Sequence, residues 1–92
     1  MLHTINKSPF GSNSFETSTR FFQPGDPVLF IEDGVYCLLD GSLKLASSNI
    51  HVLQPDADTR GLSGRISPEI QRADYKDFVQ LCCDADSVCN WF

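Results

Sequence analysis

Basic residues are scarce and scattered in this chain. Seven of them (Lys7, Arg20, Lys44, Arg60, Arg65, Arg72 and Lys76) stand against twelve acids, for a net charge of −5, and they never form a run. Phosphate-backbone binding needs clustered Lys and Arg, so direct nucleic-acid binding is not expected. The polybasic stretch of a membrane-surface protein is missing as well. No apolar run approaches the roughly 18 residues of a membrane span. The opening Met1-Leu2-His3-Thr4-Ile5-Asn6 lacks the basic region and the apolar length of a signal peptide. The expectation is a cytoplasmic protein that starts at Met1. There its four cysteines, Cys37, Cys82, Cys83 and Cys89, remain reduced thiols. Gly-x-Gly-x-x-Gly, the P-loop and Cys-x-x-Cys are all absent, and no motif calls for a cofactor or a metal.

What is present suffices for one domain over residues 1–92. Apolar residues make up 41% of the sequence. A chain of this size buries roughly 60–65% of its extended surface, a thin core that a partner subunit would help complete. Pro24-Gly25-Asp26-Pro27, Asp40-Gly41-Ser42, Gln54-Pro55-Asp56 and Ile66-Ser67-Pro68 divide it into short units. Met1 to Asn6 reads as a strand. Asn13 with Glu16 resembles a capping box opening a helix that Pro24 ends near Gln23. Val28 to Ile31 is continuously apolar, as in an inner parallel strand buried on both faces. Val35 to Leu39 fits a short helix capped by Asp33. Ile50 to Leu53 is a third strand, and Asp56 caps a helix ending at Gly61. Ile70 to Arg72 is a short fourth strand. Asp74 caps a last helix whose Tyr75, Phe78, Val79 and Cys82 share a face, and Val88 to Phe92 is a closing strand. Strands alternating with short helices give a small single-domain α/β fold, a mainly parallel sheet flanked by helices. Sites in such sheets lie beyond the C-terminal strand ends, here Lys7 to Gly11, Glu32 to Gly34 and Gln54 to Asp56.

Cys37 is the candidate persulfide carrier. It sits early in the helix after the buried strand, where a helix N-terminus lowers a thiol pKa. Glu32 and Asp33 act against that, and Tyr36, Leu38 and Leu39 surround it in sequence, so core packing is the favoured reading. Cys82 and Cys83 point about 100° apart on a helix and do not face each other; Cys82 reads as core and Cys83 as more exposed. Cys89 points inward between Val88 and Trp91. His3 and His51 could flank a base site, but no nucleophile signature accompanies them, and structural histidines are favoured. Trp91-Phe92 is either core strand or a partner contact.

Met1-Leu2-His3-Thr4-Ile5-Asn6-Lys7-Ser8-Pro9-Phe10, Glu32-Asp33-Gly34-Val35-Tyr36, Arg60-Gly61-Leu62-Ser63 and Asp74-Tyr75-Lys76-Asp77-Phe78-Val79 resemble, in order and spacing, the TusB/DsrH family of sulfur-relay subunits. The resemblance implies a DsrE-like fold. It implies a heterohexamer with TusC-like and TusD-like subunits that receives persulfide sulfur from a TusA-like carrier. That sulfur passes through a TusE-like carrier to the MnmA enzyme, which makes 2-thiouridine at the tRNA wobble position. In that family the sulfur-carrying cysteine belongs to the TusD-like subunit, and the TusB-like subunit is architectural and non-catalytic. Some DsrH-type members carry a cysteine in the first helix. Ser18 stands at the matching position, and a hydroxyl cannot hold a persulfide. The alternatives are a DsrH-like subunit of a sulfur-oxidation complex and a persulfide carrier acting through Cys37.

Overall fold

A computed structural model describes residues 1–39 and 49–91; the Asp40-Gly41-Ser42 break and Phe92 lie outside the described residues. Among the described residues, five short strands make one sheet: β1 (Leu2–Ile5), β2 (Val28–Phe30), β3 (Ile50–Leu53), β4 (Gln71–Ala73) and β5 (Val88–Trp91). Their order is β4-β3-β2-β1-β5, and every pairing is parallel. The uninterrupted apolar run of β2 is the physical counterpart of its place at the centre, where Val28, Leu29 and Phe30 are fully buried.

Among the described residues, three helices and several 3-10 turns connect the strands. α1 (Ser14–Ser18) runs into a 3-10 turn at Thr19–Phe21. A 3-10 helix, Glu32–Leu39, follows β2. α2 (Gln54–Thr59) follows β3, and α3 (Tyr75–Asp84) follows β4. Two cores result. On one face Ile5, Val28, Phe30 and Val52 pack with Val35, Cys37, Leu38, Ala57, Leu62 and Ile66. On the other Leu2, Leu29 and Ala73 meet Phe78, Leu81, Cys82 and Ala85.

Local chemistry explains where the elements depart from the sequence reading. The first helix stops well short of Gln23: Ser18 Oγ and Thr19 Oγ1 donate back to the carbonyls of Phe15 and Glu16. Such back-bonding tightens a helix end into a 3-10 turn. Asn13 makes no side-chain capping bond. Asp33 is not a cap but lies in the first turn of the 3-10 helix. Asp56 is likewise inside its helix, which begins two residues earlier at Gln54 with Pro55 in its first turn. The fourth strand lies one residue later than Ile70 to Arg72. Two terminus signals hold. Gly61 has φ +66, and Gly61 and Leu62 donate to the carbonyls of Asp58 and Ala57, a Schellman ending. Asp74 forms a reciprocal capping box with Asp77. The sheet-facing, half-buried stripe of α3 is Phe78, Leu81 and Cys82, continued by Ala85 at its C-cap. Tyr75 and Val79 are exposed instead, because the helix lies on the sheet about one position further round than their spacing suggests.

Gly34 is required by packing. A Cβ there would collide with the Ile5 carbonyl, so the 3-10 helix can cross the end of β1 only with glycine at this point.

Candidate functional site

The strand order turns back at β1, which lies between β2 and β5. His3 sits there, fully buried. Trp91 Nε1, which can only donate, reaches His3 Nδ1 at 3.1 Å. The ring proton is thereby fixed on Nε2, which meets Asp26 Oδ2 at 3.0 Å. Asp26 also accepts from the Gln23 backbone N–H at 3.0 Å and from the N-terminal ammonium at 3.2 Å. The His3 bond is the main cause that holds the Asp26 carboxyl down at about 2. This Asp–His–Trp chain ties together the N-terminal approach to β2, the start of β1 and the end of β5. Above it Phe21 packs on Trp91, with ring centroids 5.4 Å apart. Met1, His3, Phe21, Gln23, Asp26, Cys89 and Trp91 line a largely apolar cleft of about 390 Å³. His3 is thus a satisfied structural imidazole.

Cys37 is buried in the first core. Its Sγ donates to the Lys7 carbonyl at 3.6 Å. Burial pushes its thiol up to about 11, away from the low value a sulfur nucleophile needs. Of the two acids expected to influence it, Glu32 and Asp33, the second is occupied elsewhere. Asp33 takes two Arg60 N–H groups at 3.2 and 3.1 Å. Asp56 accepts the Glu32 N–H at 2.7 Å, steadying a residue held at φ 49. These carboxylates organise the strand ends and do not converge on a thiol.

The remaining thiols are separated. Cys82 packs into the second core, Cys83 is exposed, and Cys89 is half-buried beside the Trp91 cleft. Ser18 is fully buried, its hydroxyl held by the Phe15 carbonyl at 2.6 Å. His51 lies apart from His3, in a cleft of about 250 Å³ with Gln71, Asp77 and Gln80. Desolvation lowers its pKa, opposed by the nearby Asp77 charge. Among the described residues, no three His, Cys, Asp or Glu side chains gather closely enough to hold a metal. No helix among them is long and apolar enough to cross a membrane. The sequence reading missed the Asp26–His3–Trp91 chain. Its only advance signal was a polar histidine among apolar neighbours in β1, with partners 23 and 88 residues away.

The result is a small, all-parallel α/β protein that uses its polar side chains chiefly to fasten its own fold. Comparison with known proteins then places it: the chain belongs to the DsrH like protein family, whose model matches residues 7–88. It is 38% identical to Protein TusB of Escherichia coli O81 (strain ED1a), over 99% of this chain and all of that one. The same figures hold for Protein TusB of the O6:K15:H31 and O139:H28 strains. The solution NMR structure of protein Tm0979 from Thermotoga maritima superposes with a TM-score of 0.71. That match covers 95% of this chain and 97% of the other at 20% identity, which speaks to the fold alone.

Proposed function

We propose that this chain is the TusB-type structural subunit of a cytoplasmic sulfur-relay complex that supplies sulfur for 2-thiouridine at the tRNA wobble position. Its partners in this reading are TusC-like and TusD-like subunits in a heterohexamer, with TusA-like and TusE-like proteins delivering and removing the sulfur. The observation that carries the proposal is the end-to-end likeness to TusB. The chemistry of the chain supports a non-carrying role: Cys37 is desolvated with a raised pKa, and the position matching the DsrH-type cysteine is the buried hydroxyl of Ser18. That serine also favours the tRNA pathway over a sulfur-oxidation complex. With a net charge of −5 and no basic stripe, the subunit leaves tRNA binding to others.

Co-expression with the two sister subunits tests this. A soluble heteromer is expected, and removing this chain should collapse the 2-thiouridine content of cellular tRNA, read by mass spectrometry of nucleosides. A lone monomer with no affinity for the sister subunits, or unchanged thiolation without it, overturns the proposal.

A further inference from the structure

β5 ends the sheet on one side, with β1 its only strand neighbour among the described residues. The Leu2 N–H donates to the Ser87 carbonyl at 2.9 Å, which sets the ladder. Backbone groups turn to alternate sides along a strand, so the groups of Cys89 and the N–H of Trp91 face β1. The N–H and C=O groups of Val88 and Asn90 point away from it. No hydrogen bond among the described residues engages these outward backbone groups, and both residues are exposed.

Native sheets guard such an edge with a short strand, a charge, a proline or a bulge. The opposite edge is guarded in this way: β4 has 3 residues, carries Arg72 and follows the Ser67-Pro68 turn. β5 is not. Residues 87–91 hold no charge and no proline, and β5 pairs residue for residue with β1, without a bulge. Apolar side chains flank it on both faces. Val88 is 42% exposed on the side of α3; on the other side Phe21, 56% exposed, packs on Trp91.

Unpaired backbone donors and acceptors call for another strand, and register and charge both fit a second copy of this chain. Antiparallel pairing about an axis through Cys89 sets Val88 of each copy opposite Asn90 of the other. Each such pair exchanges both of its N–H···O=C bonds, so the outward groups of the two copies satisfy one another. Trp91 then lies opposite the small Ser87 of the second copy, which leaves room for the indole. Charge is polarised along the same edge. The N-terminal end of β5 carries Asp84 and Asp86, which share a cleft with Asp26. The C-terminal end lies beside Lys7, just past the parallel end of β1, and beside Arg20, which precedes Phe21 and has Glu16 one turn before it. Antiparallel pairing brings the acidic end of each copy to the basic end of the other. It also holds the two Asp86 carboxylates about 20 Å apart along the strands, more than twice the Debye length of about 8 Å. We propose that two copies of this chain pair antiparallel through β5 and form one continuous sheet. This pairing stands apart from the sulfur-relay proposal; in a heteromer it joins two copies of this subunit.

Sedimentation velocity of the isolated full chain over a concentration series tests this, with hydrogen exchange and thiol crosslinking on the same samples. A reversible dimer is expected, with amide exchange at Val88 and Asn90 slowing as it forms. Residues directly opposed in a non-hydrogen-bonded antiparallel pair have Cα atoms about 4.5 Å apart. A short bis-thiol crosslinker should therefore join Cys89 to Cys89, identified by peptide mass spectrometry. Val88→Pro removes an outward N–H and no bond to β1. It should keep the wild-type circular dichroism and dimerise at least tenfold more weakly. A wild-type chain that stays monomeric throughout the series overturns the proposal. So does a dimer with no Cys89–Cys89 crosslink, or a folded Val88→Pro that dimerises as wild type does. Protection of the Val88 and Asn90 amides only when a sister subunit is added assigns the edge to that subunit; it overturns the second-copy pairing and leaves the functional reading standing.

Discussion

Replacing Cys37 separates a packing atom from a sulfur carrier. The side chain is 3% exposed, and its thiol is raised to about 11 by burial. At pH 7.5 that leaves about one thiolate in three thousand, against about one in ten for a free thiol of pKa ~8.5. Nucleophilic attack runs through the thiolate, so Cys37 starts about 300-fold behind an exposed thiol before steric shielding is counted. Iodoacetamide labelling of the folded chain, followed by peptide mass spectrometry, measures this with exposed Cys83 as the internal reference. Cys83 should be fully alkylated while Cys37 is nearly untouched. Cys37→Ala should cost about 1 kcal/mol of stability, or about 4–8 °C in Tm for a domain of this size. It should leave sulfur transfer by the assembled complex unchanged. Labelling of Cys37 within tenfold of Cys83, or loss of transfer in Cys37→Ala at normal assembly, contradicts the packing role.

Gly34→Ala should destabilise the fold by about 3 kcal/mol or more, because the added Cβ meets the backbone carbonyl of Ile5, not a flexible side chain; thermal unfolding measures it, and a Tm within a few degrees of wild type refutes the close approach. Asp26 has its pKa depressed to about 2, so its contribution to stability is intact above the unfolded carboxyl value of about 3.9 and is lost as pH falls through the folded value. The Tm of wild type should therefore drop between about pH 4 and pH 2, and Asp26→Asn should start lower and show a shallower drop in that window; an equal drop in both proteins would remove Asp26 as its source.

Much of this fold was legible because its signals are local. The unbroken apolar run at Val28 marked a doubly buried parallel strand, Gly61 marked a left-handed helix end, and Asp74 marked a capped start. Features decided by tertiary contact were not legible. Asp33 and Asp56 have good capping chemistry, yet Asp33 is drawn to Arg60 and Asp56 to the backbone of Glu32. The face of α3 was misread because Tyr75 and Val79 fit a helical spacing equally well, and only the sheet beneath selects Leu81 and Ala85. The candidate site divided the same way. Burial of Cys37 followed from its apolar neighbours. The Asp26–His3–Trp91 chain joins segments whose distance along the sequence conceals their contact.

The most direct measurement follows sulfur itself. The reconstituted complex is charged with ³⁵S from a persulfide donor, quenched during turnover, and its subunits are separated under non-reducing conditions. A non-carrying structural subunit predicts label on a sister subunit, none on this chain, and undiminished transfer when Cys37, Cys82, Cys83 and Cys89 are all replaced in a variant that still assembles. Label on any of these four thiols, with transfer stopping when that thiol is removed, would contradict it.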